Sequence, residues 1–193
     1  VVFLPGQGLF WRTLLGHLAS SEVGAVGPCS NFVGGSQSLM SLDTDLAFDT
    51  SLLIGFCMAL ETEFFKELGG LDADLPGGDD LDLSIRVQEA GKLLRGDKTC
   101  YIHHFGQQTG KRVKGDYWDS SWHQEVVNNA IIKKHGVIAW YECFQAQWRP
   151  LGILTAIDKD NEYKVIAKYL AENHKDSAGL NIGCGNSSYE GLL

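Results

Sequence analysis

Three stretches of this 193-residue chain read as helices that stop on glycine, and apolar runs lie between them. Glu61 to Leu68, with Phe64 and Leu68 on one face, meets Gly69-Gly70. Asp80 to Ala90, with Leu83 and Val87 facing inward, meets Gly91. A third stretch, capped by Ser120 or Ser121, closes on Lys133-Lys134-His135-Gly136. Glycine accepts the left-handed conformation that ends a helix, and basic residues in a last turn complement the helix dipole. Strands are expected at Val1 to Leu4, Val23 to Val26, Ser51 to Leu60 and Thr99 to His103. Ser51 to Leu60 is almost continuously apolar and predicts a strand buried on both faces. An opening helix over Leu9 to Ala19 carries Phe10, Leu14 and Leu18 at i, i+4 and i+8. Strands alternating with helices predict an α/β domain.

The remaining segments carry less pattern. Cys29 to Thr50 is rich in Gly, Ser and Asp and reads as loop, as do Leu71 to Gly78 and the basic stretch Phe105 to Asp116. Val137 to Ile157 is aromatic-rich without an assignable period. Asp158 to Asn173 predicts a helix with Tyr163, Ile166 and Leu170 on one side. The chain shows no internal repeat.

With 44% hydrophobic and 21% charged residues the composition is that of a soluble globular protein. A formal charge of −8 argues against nucleic acid as the main partner, because such binding draws on clustered Lys and Arg. The five cysteines are odd in number and form no C-x-x-C pair, which points to a reducing, cytoplasmic setting rather than a disulfide framework or zinc site. The longest apolar stretch, Leu52 to Leu60, is far short of the ~20 residues that cross a bilayer. Membrane association is not encoded here, although a neighbouring segment would be able to provide it.

The sharpest cluster of chemistry-bearing residues is Gly77-Gly78-Asp79-Asp80-Leu81-Asp82-Leu83-Ser84-Ile85-Arg86. Three carboxylates fall in the first turn of a helix, where unpaired backbone N–H groups stabilise negative charge. Capping needs only one acid, and for any lone Asp the plain reading is a cap or a solvated side chain. Three acids after two glycines point instead to a site in which a carboxylate takes a proton as general base.

The second cluster is Ile102-His103-His104-Phe105-Gly106-Gln107-Gln108-Thr109. A histidine at a strand end offers an imidazole to a divalent metal or a phosphate. Adjacent strand residues face opposite ways, so at most one of His103 and His104 faces the site. Lys111, Arg112 and Lys114 follow in a loop suited to folding over a diphosphate, although loop lysines are commonly just solvated.

Four blocks stand in order along Val23 to Tyr117: Gly27-Pro28-x-Ser30-Asn31 with Gln37; Gly55-Phe56-Cys57-Met58-Ala59, then Phe64 to Gly70 and Leu71-Asp72; Gly-Asp-Asp-x-Asp-Leu-Ser-x-Arg from Gly78; and His-His-x-Gly-x-x-Thr from His103. Together they resemble the C-terminal, acceptor-side half of family 2 glycosyltransferases, inverting enzymes of the GT-A fold. The resemblance implies a partial, Rossmann-like GT-A domain over residues 1–136, a mixed sheet flanked by helices, with a helical extension at 137–176. It implies transfer of a sugar from a nucleotide-diphosphate donor to a glycan, lipid-linked or protein hydroxyl. Asp80 falls at the catalytic base, with Asp79 beside it where many relatives carry Glu. Asp82 and Arg86 support the helix, and Gly55, Phe56 and Cys57 floor the acceptor pocket. His103 or His104 lies near a divalent cation, Mg²⁺ or Mn²⁺, and the diphosphate, with Lys111 and Arg112 beside it. The family's Asp-x-Asp metal motif belongs upstream of Val1, so the isolated chain is expected to be inactive, and its sheet to present unpaired edges that favour self-association.

Leu180-Asn181-Ile182-Gly183-Cys184-Gly185-Asn186 resembles the first motif of S-adenosylmethionine-dependent methyltransferases, which implies a methyltransferase-like domain beginning at 177–193. Asn181 departs from the acid common there. Two further readings stand beside the transferase: a non-catalytic binding or scaffold module that keeps the GT-A acceptor surface, and an accessory region of a methyltransferase.

Overall fold

A computed structural model describes residues 9–41, 45–106, 112–113 and 121–148. They form an α/β unit with a four-stranded mixed sheet flanked by helices. Helix α1 (Phe10–Gly16) runs into a 3-10 turn (His17–Ala19) and then strand β1 (Val23–Cys29). A second 3-10 turn (Gly35–Gln37) precedes β2 (Ala47–Thr50) and the short β3 (Ala59–Leu60). Helices α2 (Thr62–Glu67) and α3 (Asp79–Glu89) lead to β4 (Leu93–Tyr101). Helices α4 (Ser121–His135) and α5 (Val137–Trp148) complete the described part.

The sheet order is β2-β4-β1-β3, with β1 parallel to β4 and antiparallel to β3, and β2 antiparallel to β4. Every residue of β1 is buried because a helical layer covers each face. On one face Phe10 and Leu14 of α1 pack with Val23, Val26, Cys100 and Ile102. On the other, Ala25, Leu53, Val87 and Leu94 form a core extended by Phe64 and Leu68. The ladder shifts register between Val23 and Ala25. Gly24 sits at that irregularity, and a Cβ there would lie within 3 Å of Lys92, Val87 and Phe64.

Two strands lie outside the expected pattern. Ala47–Thr50 was expected to be loop and is an edge strand. Its Asp49 forms an ion pair with Arg95, the residue directly opposite on β4. Strand β4 begins at Leu93, well before the expected Thr99. Its charged residues are neutralised in place: Asp97, 4% exposed, accepts from His17 at 2.7 Å. The aromatic-rich stretch is helical over Val137–Trp148, and α5 packs against α3 and α4 with Trp140 and Cys143 buried.

The expected strand over Ser51 to Leu60 is corrected. Only Ala59 and Leu60 pair in the sheet, and residues 51–58 run as a loop along α3. Their partners are side chains. The Gln88 amide donates to the Ser51 carbonyl at 3.0 Å, Leu53 N–H donates to the Ser84 hydroxyl at 3.2 Å, and Gly55 N–H donates to Asp80 at 3.0 Å. Positions 80, 84 and 88 stand one turn apart on a single helix face. Four helical residues advance ~6 Å and two residues of extended chain ~6.6 Å, so alternate loop residues meet successive turns. The Ile54 N–H, pointing the other way, donates to Gln37 at 2.7 Å. Within the run only Leu52 and Leu53 are buried, and they are so without a ladder of their own.

Among the described residues no helix is long and apolar enough to cross a membrane.

Candidate functional site

Strands β1 and β4 are parallel, and their carboxyl ends lead into Ser30-Asn31 and His103-His104. In open α/β sheets this end of the strands is where ligands bind. The two ends are stitched together by the Ser30 hydroxyl donating to the Ile102 carbonyl at 2.8 Å and by Ile102 N–H donating to the Cys29 carbonyl. Asn31 completes the join: its side-chain oxygen accepts from the His104 N–H at 2.9 Å and its amide donates to the His104 carbonyl at 3.2 Å. Gln37, almost fully buried, donates to the Pro28 carbonyl at 2.8 Å while accepting from Ile54, and so ties the 51–55 loop to the end of β1. The sequence reading matched Gln37 without giving it a role. Its signal was a lone amide in a segment with no period.

The histidine pair separates by orientation. The His104 ring stacks on Phe56, with centroids 5.3 Å apart and planes 16° from parallel, and meets Phe32 edge-on. His104 Nδ1 lies 2.7 Å from the Phe32 carbonyl oxygen. His103 turns instead to the Tyr101 hydroxyl, 3.1 Å from its Nδ1, and to the edge of Phe105. A carbonyl only accepts, so His104 carries its proton on Nδ1 and the neutral ring keeps a bare acceptor at Nε2. A single imidazole nitrogen of that kind fits a divalent cation. Among the described residues there is no group of three or more His, Cys, Asp or Glu able to hold one.

The three acids of α3 have three different situations. Gly78, at φ +73°, caps the helix without a side-chain bond, and its open α-carbon admits α4: a Cβ there would lie 2.8 Å from Val127 Cγ1. Asp79 is exposed. Asp80 accepts from Gly55 N–H on one oxygen and from Leu81 N–H at 2.9 Å on the other. Burial of the carboxyl raises its pKa above the ordinary carboxylate value, against those two bonds, and the Asp79 charge adds to the rise. Asp82 is fully buried and faces away from that loop. Its oxygens take both the Nε and an Nη of Arg86, Lys134 at 2.6 Å and His135 at 2.7 Å. Arg86 also donates to the Leu68 carbonyl that ends α2, and Lys134 reaches Asp72 in the α2–α3 loop. Burial alone would raise the Asp82 pKa, but donors from Lys134, His135 and Arg86 together hold it below the ordinary value. Asp82 and Arg86 are thus a structural hub joining α2, α3 and α4.

The structure brings Asp80, Gly55, Phe56 and His104 into one continuous series: Gly55 holds the carboxylate, and the ring of the next residue carries the imidazole. Cys57, half-buried with its thiol pushed up by burial, packs into the core on the α1 side of the sheet together with Phe56. Arg112 is exposed. Lys111 and Lys114 lie outside the described residues, as do Leu180 to Asn186 with their glycine motif. A separate groove of about 410 Å³, lined by Ser21, Gly24, Glu61, Glu67 and Lys92, opens at the other end of the sheet, where β1 and β4 begin. The four cysteines among the described residues are free thiols, and burial pushes Cys29 and Cys143 up to about 12.

Compared with known proteins, the chain matches no family model and no curated protein.

Proposed function

We propose that this chain is the acceptor-side part of an inverting glycosyltransferase of GT-A type that uses a nucleotide-diphosphate sugar. The observation that carries the reading is Asp80: a half-buried carboxylate at a helix start, held by the Gly55 N–H at the carboxyl end of two parallel strands. A carboxylate pushed toward neutrality is the better base for a hydroxyl. Asp80 takes the proton of the acceptor hydroxyl as that oxygen forms its bond to the anomeric carbon. The bond to the nucleoside diphosphate breaks on the opposite face, and inversion follows.

A divalent cation, when bound, neutralises the departing diphosphate. From this chain, His104 Nε2 is the group suited to face it. Phe56 shapes the floor beside Asp80, and Asn31 and Gln37 fix the two strand ends that carry the imidazole and the loop.

Replacing Asp80 with Asn in the complete natural polypeptide tests this. Transfer should fall by roughly 10²–10⁴-fold, the usual share of a general base, with donor binding retained. Unimpaired transfer removes Asp80 from the role.

One observation favours a second reading, the non-catalytic module: both Asp80 oxygens already accept backbone bonds, as they would if the residue only pinned the loop. Ligand binding by the complete wild-type polypeptide without any transfer would put this reading first.

A further inference from the structure

We propose that Ser84 and Gln88 are positioning residues for Asp80. By tying Leu53 and Ser51 to successive turns of α3, they hold the Gly55 N–H on the Asp80 carboxylate. The inference rests on Asp80 being the working group of the proposed site, and its geometry is independent of the reaction.

Ser84 is fully buried, and its hydroxyl accepts from Leu53 N–H at 3.2 Å. Gln88 divides its amide between the Ser51 carbonyl and the Ser84 carbonyl, both at 3.0 Å, so it braces the loop and the helix turn together. Cys143 of α5 donates its thiol to the same Ser51 carbonyl at 3.1 Å. Gly55 itself has no side chain with which to anchor the loop. A Cβ there would stand 3.2 Å from the Asp80 Cβ, so the backbone reaches the carboxylate only by close approach. Nothing in the sheet ladder fixes that approach, because pairing begins at Ala59. The anchors are Gln37 on one side and, on the other, the Ser84–Gln88 face with the Cys143 thiol beside Gln88. Releasing the helix-side anchors frees Gly55 to leave Asp80, and a carboxylate that loses an N–H donor holds its proton more tightly.

The experiment uses the full 193-residue chain carrying Ser84→Ala or Gln88→Ala, with Ile131→Val on α4 as a packing control. Folding is checked by circular dichroism. Hydrogen exchange of the Gly55 amide and the NMR titration of the Asp80 carboxyl carbon are then measured. The expected result in both variants is faster Gly55 exchange by at least about tenfold and an Asp80 midpoint raised by roughly half a pH unit or more, with the control unchanged. Should Ser84→Ala fail to fold, Gln88→Ala at its half-buried position carries the test alone. Unchanged exchange and an unchanged midpoint in a folded variant would overturn the proposal. So would equal changes in the Ile131 control, which would make the effect general loosening. Absence of sugar transfer bears only on the proposed function, because neither readout depends on turnover.

Discussion

His104 Nδ1 points at the carbonyl oxygen of Phe32 across 2.7 Å, and that contact settles which nitrogen of the ring is protonated. Phe56 below and Phe32 at the edge keep the ring from turning over. Nitrogen-detected NMR of the neutral ring should show the Nδ1–H form with a bare Nε2. Finding the opposite tautomer would leave Nε2 without acceptor capacity and remove His104 as a cation ligand.

Asp80 and Asp82 stand two residues apart and should separate cleanly under mutation. Asp82→Asn leaves Arg86, Lys134 and His135 facing a neutral, buried group, and stability should drop by about 3 kcal/mol, the scale of a broken buried ion pair. Asp80→Asn gives up an acceptor at a loop but also removes a charge that the fold disfavours, so stability should change by less than about 1 kcal/mol. Urea unfolding of the two variants reads the difference; equal losses would deny the hub its role.

Acid should act on the two kinds of carboxyl in opposite senses. Asp82 and Asp97 have pKa values below those of an unfolded chain; for Asp97 the bonds from His17 and Thr99 outweigh burial. Their stabilisation is therefore complete above the ordinary carboxylate value of ~3.9 and is lost as pH falls through the lower folded values. Asp80 is raised, so its ionised form is disfavoured by the fold and its midpoint lies above ~3.9. The acid limb of the pH–activity profile should lie above ~3.9, while acid unfolding monitored by circular dichroism should lie below it. Coincident midpoints would contradict this.

Gly78→Ala meets two obstacles at once. The left-handed backbone costs a Cβ roughly 1–2 kcal/mol. The clash with Val127 Cγ1 at 2.8 Å adds the ~1–3 kcal/mol of an overpacked core. Thermal unfolding should show the loss. The double variant Gly78→Ala, Val127→Ala should recover the packing part and leave the backbone part, and no recovery would mean that α4 does not press on the cap.

The helices were legible because their stops are chemical: Gly70, Gly91 and Gly136 all take positive φ. The missed strands hid their partners. Asp49 and Arg95 look like loop residues until the register sets them opposite each other, and Asp97 reads as surface until His17 reaches it from eighty residues away. Gly96 is needed in β4, since a Cβ there would lie 2.1 Å from the ring of Phe48. Helix α5 gave no clean period, since Ile138 lies exposed on it while the polar Gln145 is buried. For the site, the clustering of Asp79, Asp80 and Asp82 was visible, while their division into exposed, loop-holding and buried roles depends on helix packing that no spacing encodes.

The pairing of Ser51, Leu53 and Gly55 with Gln88, Ser84 and Asp80 works as a vernier between two different pitches, and it carries a parity rule. Adding one residue within 51–55 would turn the amides and carbonyls that meet α3 toward Gln37, and those that meet Gln37 toward the helix. Adding two would restore the alternation and displace Gly55 by about one helical turn. Length variation in this segment is thus quantised: odd changes break the site outright, and even ones move it along α3.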